Sequence, residues 1–218
     1  MTGRQDIAMA DFTARLQKLR PEAGEARFVY FEHAFGVPSV KVLPGEFFVW
    51  NEDIAIQTVL GSCIAVCLHD AVAGIGGMNH FLLPDDGREL AVAQADSARY
   101  GVHAMELLVN RMMKGGAVRS RLQAKVFGGA SVIAGATQLK VGDRNVEFVD
   151  HYLATERIPV LARDVLDRHA RRVVFFPASG KAMVKRLPST ATSEIRDREA
   201  DLTKRRTAPM PGGTVELF

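Results

Sequence analysis

Two side chains in this 218-residue chain have the chemistry of a nucleophile and its base, Cys63 and His80. Cys63 follows Gly61 and Ser62 at the head of the apolar run IAVCL, and His80 ends GIGGMN just before a second apolar run, FLLP. Two strand-like segments joined by a short link can pair side by side, which would bring thiol and imidazole together although they lie 17 residues apart. The pairing has a chemical purpose, because the thiolate is the reactive form and an adjacent imidazole both takes its proton and favours its charge. Gly61 lets the backbone bend and a substrate come close, and the amides around Gly61 and Ser62 can aim at a developing oxyanion. Cys67 sits between Val66 and Leu68 with no glycine beside it and reads as core. The two cysteines and six histidines nowhere reproduce a metal-ligand spacing, so no metal site is expected.

LGSCIAVCLHD followed by GGMNHFLLP resembles the signature of the CheD family, the chemoreceptor glutamine deamidases of bacterial chemotaxis. The likeness continues through VFGGAS, VGDRNVEFV, IPVLARD and VVFFPASGKAMVKRL, in the family's order, over roughly residues 40–187. It implies an α/β sandwich related to the cytotoxic necrotizing factor catalytic domain, with Cys63 as nucleophile, His80 as base and a threonine a few residues ahead of the cysteine. Thr58 stands five residues before Cys63 and Gln57 six before it. Thr58 supplies the hydroxyl, and a slip of one residue along a strand would reverse its face. The chain departs from the family after Asp164, where VLDRHARR replaces a glycine-rich segment ending in Gly-Arg.

The resemblance implies a protein-glutamine deamidase that converts glutamines of methyl-accepting chemotaxis receptors to glutamate through a thioester, without a cofactor. Two alternatives stay open. One is a non-catalytic adaptor that binds receptors or a CheC-type phosphatase; the other is a thiol-dependent receptor methylesterase.

The bulk composition narrows the classes. A formal charge of +3, with its one dense basic cluster at residues 204–206 in a polar stretch without aromatics, gives no reason to expect nucleic acid. Hydrophobic residues at 47% and charged residues at 24% are a globular balance. No apolar run approaches the roughly 20 residues needed to span a bilayer, and the N-terminus lacks the apolar segment of a signal peptide. With only two cysteines, four apart in one apolar segment, no disulfide framework is implied. A cytoplasmic protein without membrane insertion, and a monomer, is the expectation.

The elements that must position Cys63 and His80 follow from periodicity. Residues 1–38 read as a leader in which Phe12, Leu16 and Leu19 recur at helical spacing until Pro21. Residues 39–188 read as the catalytic domain, and 189–218 as a polar, disordered tail ending in an apolar TVELF. Strands are expected on both sides of Pro44-Gly45, at 54–60, 64–68, 123–127, 158–161, 172–176 and 182–187, with a turn at Asp85-Asp86-Gly87. A helix is expected over 96–114, with Ala98, Val102, Met105, Val109 and Met112 forming its apolar stripe, and another over 145–156. Gly128-Gly129 lacks the spacing of a nucleotide fingerprint and reads as a tight turn or close approach. Helices interspersed among more numerous strands make the class α/β or α+β, a mixed sheet with flanking helices.

Overall fold

The computed structural model describes residues 2–83, 90–131 and 139–188; the turn expected at 85–87 and the whole span 189–218, with TVELF, lie outside them. Among the described residues ten strands form two mixed five-stranded sheets. One sheet has the order β3-β6-β5-β7-β8, from Phe47–Trp50, Ile75–Asn79, Ile64–Asp70, Gln123–Gly128 and Val160–Val165. The other has the order β1-β2-β4-β9-β10, from Phe28–Glu32, Val37–Lys41, Ala55–Leu60, Arg171–Phe176 and Lys181–Arg186. The β2–β4 and β7–β8 pairs are parallel and the others antiparallel.

Alternation along β5 explains the layering. Ile64, Val66 and Leu68 belong to one buried cluster with side chains of α2 (Leu90–Lys114) and α3 (Leu139–Thr155), while Cys63, Ala65 and Cys67 belong to a second cluster shared with β2, β4 and β9. Successive strand residues point to opposite faces, so IAVCL is apolar throughout because both of its faces are covered. The result is helices on one sheet and that sheet on the other.

The helix α2 packs through Met105, Leu108, Val109 and Met112, all fully buried. Val102, expected on that stripe, is instead 42% exposed. The reason lies one residue earlier: a Cβ on Gly101 would stand 2.5 Å from the Phe148 ring of α3, so Gly101 occupies the seam between the two helices and Val102 turns away from it. The strand expected at 158–161 is displaced to Val160–Val165, following the buried Ile158.

Helix α1 (Thr2–Lys18) lays Phe12 edge-on against Trp50, with ring centroids 5.1 Å apart. The second sheet begins at Phe28, which pairs with Lys41, ahead of the 39–188 span expected from the sequence.

Candidate functional site

His80 follows β6, and its backbone is fixed from both sides: its N–H donates to Glu46 O at 2.9 Å and its carbonyl accepts from Gly45 N at 2.7 Å. The β5–β6 register that sets Cys67 against Met78 continues to Ile64 against Phe81, closed by two hydrogen bonds of 2.9 Å. In that register Ala65 faces His80 and Cys63 faces Leu82. Cys63 and His80 are therefore diagonal neighbours on the same face of the sheet, a spacing that aromatic side chains bridge. That face looks into the layer between the sheets, where Cys63 is fully buried and His80 is 3% exposed.

Thr58 comes from the opposite sheet. Ile56 and Leu60 of β4 point into the inter-sheet core, and Thr58 shares their face. Its Oγ1 lies 2.7 Å from His80 Nδ1 and 2.7 Å from the carbonyl of Val42. Gln57 faces the other way, with its amide on Glu32, Ser39 and Arg172. The structure thus brings Thr58, not Gln57, to the imidazole.

These contacts fix the imidazole tautomer. A carbonyl only accepts, so the single hydroxyl proton of Thr58 goes to Val42 O, and Oγ1 must then accept from His80 Nδ1–H. The proton on Nδ1 leaves Nε2 as the basic nitrogen.

The turn before β5 is tied down by its carbonyls. Gly61 O accepts from Ala130 N at 2.7 Å, Cys63 O from Gly129 N at 2.8 Å, and Ser62 O from Asn145 Nδ2 at 2.8 Å. A trans peptide holds C=O and the following N–H in opposite directions. With the Gly61 and Ser62 carbonyls drawn toward Gly129, Ala130 and Asn145, the N–H groups of Ser62 and Cys63 are directed to the other side. Gly128 makes this proximity possible: at φ 111° it occupies backbone space that favours glycine, and a Cβ there would stand 2.1 Å from Cys63 O.

The turn after Asp164 supports the glycine pair in turn. Leu166 N donates to Gly128 O and Ser131 N to Asp167 O, both at 2.8 Å. Leu166 and Asp167 take positive φ of 64° and 70° without being glycine. Fully buried Arg171 holds them, with Asp164 Oδ1 and Leu166 O both at 2.7 Å and His169 O at 3.0 Å.

Cys67, one strand repeat past Ala65, lies against Met78 in the core, and burial pushes its thiol pKa well up. Among the described residues no group of three or more His, Cys, Asp or Glu side chains could hold a metal ion, and no helix is long and apolar enough to cross a membrane.

Sequence reasoning passed over two residues of this site. Asn145 and Arg171 are both fully buried polar side chains. Asn145 had a signal, since it stands four residues before Val149 on the apolar face of α3, where a polar residue needs internal partners.

The family model described as CheD chemotactic sensory transduction matches residues 82–186. The family-model match covers Asn145 and Arg171 and begins after Thr58, Cys63 and His80. The "Probable chemoreceptor glutamine deamidase CheD" of Burkholderia vietnamiensis (strain G4) is 51% identical over 192 residues, 87% of this chain and 78% of its own. The "Probable chemoreceptor glutamine deamidase CheD 1" of Albidiferax ferrireducens is 52% identical over 199 residues, 89% of this chain and 82% of its own. A solved structure, the hypothetical protein YfiH of Bacillus licheniformis, aligns at 12% identity over 76% of this chain and 69% of its own, with a TM-score of 0.39.

Proposed function

The chain belongs to the CheD family, and from that premise we propose that it is a hydrolase, a chemoreceptor glutamine deamidase that works through Cys63, His80 and Thr58. The observation that supports the assignment of roles is the 2.7 Å contact between Thr58 Oγ1 and His80 Nδ1, because it presents Nε2 as the base on the face that carries Cys63.

In the proposed reaction Nε2 takes the thiol proton and the thiolate attacks the carboxamide carbon of a receptor glutamine, forming the C–S bond and a tetrahedral oxyanion. The N–H groups of Ser62 and Cys63 receive that charge. The imidazolium then gives its proton to the departing nitrogen, ammonia leaves, and a thioester remains. Water, deprotonated by Nε2, attacks the thioester; the C–S bond breaks, the thiolate recovers the proton, and glutamate is released. One water is consumed per ammonia formed. No step calls for a cofactor.

The substrate class is the cytoplasmic helical region of methyl-accepting receptors, which places the protein in the cytoplasm. Each conversion adds a negative charge and a new methylation site. The test is mass spectrometry of a receptor cytoplasmic fragment incubated with wild type and with Cys63→Ala. Glutamine-to-glutamate shifts with the wild type alone are expected; shifts with both proteins would move the nucleophile elsewhere, and shifts with neither would favour the adaptor reading. Release of methanol from receptor glutamyl esters without ammonia would favour the methylesterase. A monomeric state and binding of a CheC-type phosphatase are further parts of the proposal, both read by light scattering of the protein alone and mixed with the phosphatase.

A further inference from the structure

We propose that Asn145 is a positioning residue for the oxyanion site, acting through the peptide between Ser62 and Cys63; this rests on the thioester reading above. Three successive carbonyls of the nucleophile turn are held from one side, those of Gly61 and Cys63 by backbone N–H groups and that of Ser62 by the Asn145 side chain. Backbone donors survive substitution, so Asn145 is the donor that mutation can remove. The peptide it holds is the one whose N–H belongs to Cys63 itself.

Asn145 also reaches the other half of the site. Its Oδ1 accepts from Leu83 N at 3.0 Å while its Nδ2 donates to Ser62 O at 2.8 Å. Leu83 lies three residues past His80, so one fully buried amide spans the turn bearing the nucleophile and the segment that leaves the base. Acceptor and donor are both used, which fixes the side-chain orientation. Without the Nδ2 donor the 62–63 peptide loses the side-chain hold on its carbonyl, and its N–H turns off the oxyanion position.

The consequence is selective, and a pair of small reagents reads it. Acylation of Cys63 by p-nitrophenyl acetate passes through a tetrahedral oxyanion; alkylation by iodoacetamide displaces iodide from an sp3 carbon and forms none. Both reagents react with the thiolate, so the ratio of the two rates at Cys63 cancels a change in thiolate fraction and any change in access common to both. Rates are measured by mass spectrometry of the labelled peptide for wild type, Asn145→Ala and the volume-conserving Asn145→Leu, each checked for a cooperative melt.

Loss of one oxyanion donor is worth about 10²-fold, so the acylation-to-alkylation ratio is expected to fall by about that factor in both variants, and kcat for receptor deamidation with it, at little change in KM. A ratio within threefold of wild type, acylation and alkylation falling together, or loss of a cooperative melt in both variants would each overturn the inference and leave Asn145 a structural support. The outcome is separable from the deamidase reading, since the ratio needs no receptor, whereas that reading fails if wild type leaves receptor glutamines intact.

Discussion

The hydroxyl of Thr58 has one proton and two neighbours that want a partner, and Val42 O decides the matter by being unable to donate. Thr58→Val keeps the side chain's size and removes the choice. The imidazole then loses its tautomer lock, and kcat is expected to drop about 10²-fold, with Thr58→Ser retaining most activity; steady-state ammonia release checks both. At the same scale both thiols are buried, but Cys63 stands beside the Gly61-Ser62 turn whereas burial in mid-strand pushes the Cys67 thiol pKa up, so peptide mapping after alkylation of the folded protein at pH 8 should find label on Cys63 before Cys67. Cys63, His80 and Thr58 could be put forward from the sequence because of the Gly61-Ser62 turn and the likeness to the CheD signature, since a lone cysteine or histidine in an apolar run is at least as often core. The choice between Thr58 and Gln57 was not legible, since it turns on which face of β4 meets the imidazole. Asn145 and Arg171 escaped for another reason: the partners that give them meaning are largely backbone groups of residues 62, 83, 166 and 169, and a backbone carbonyl leaves no mark in a sequence.

At the scale of elements, two turns carry more than connection. Gly128→Ala would drive a Cβ into the Cys63 carbonyl at a φ that already disfavours alanine, and a loss of about 3 kcal/mol or more is expected by urea unfolding. The β5–β6 turn is built on Asp70, which accepts from the N–H groups of Val72 and Ala73 at 3.0 and 3.1 Å, from Val118 N at 2.8 Å, and pairs with Arg121. The Arg121 guanidinium and these amides hold its carboxyl far below the usual carboxylate range. Its pKa is lower folded than unfolded, so its stabilisation is complete above the unfolded value of about 3.9 and is lost as pH falls toward the folded one. Asp70→Asn should therefore cost about 2 kcal/mol at pH 7 and show a flatter decline in stability than wild type between pH 5 and pH 2, read as urea midpoints. The strands around these turns were visible in the sequence as short apolar runs. Their assignment to two sheets was not, because both faces of β5 are apolar and periodicity alone cannot say which neighbour covers which face. The helix seam at Gly101 was missed similarly, since a missing side chain adds nothing to an apolar stripe.

For the whole molecule, the layer between the sheets is both core and the proposed catalytic site, so stability and activity are expected to share atoms. Helix α1 closes one margin of that layer through Phe12 on Trp50, the single tryptophan of the chain. Phe12→Ala is expected to cost about 3 kcal/mol and to shift tryptophan emission to the red, both measurable in one denaturant titration. The mixed α+β class and the flanking helices were readable from element order, whereas the docking of residues ahead of Phe28 was not, because an amphipathic helix does not name the surface it will meet. The burial of Cys63 has a further consequence outside the proposed catalysis. Peroxide attacks thiolates it can reach, and Cys63 and Cys67 are both buried thiols outside any disulfide. Oxidation of either thiol to sulfenic acid thus waits on the same opening that admits an alkylating reagent, and peroxide is expected to act more slowly on the folded protein than on the unfolded chain.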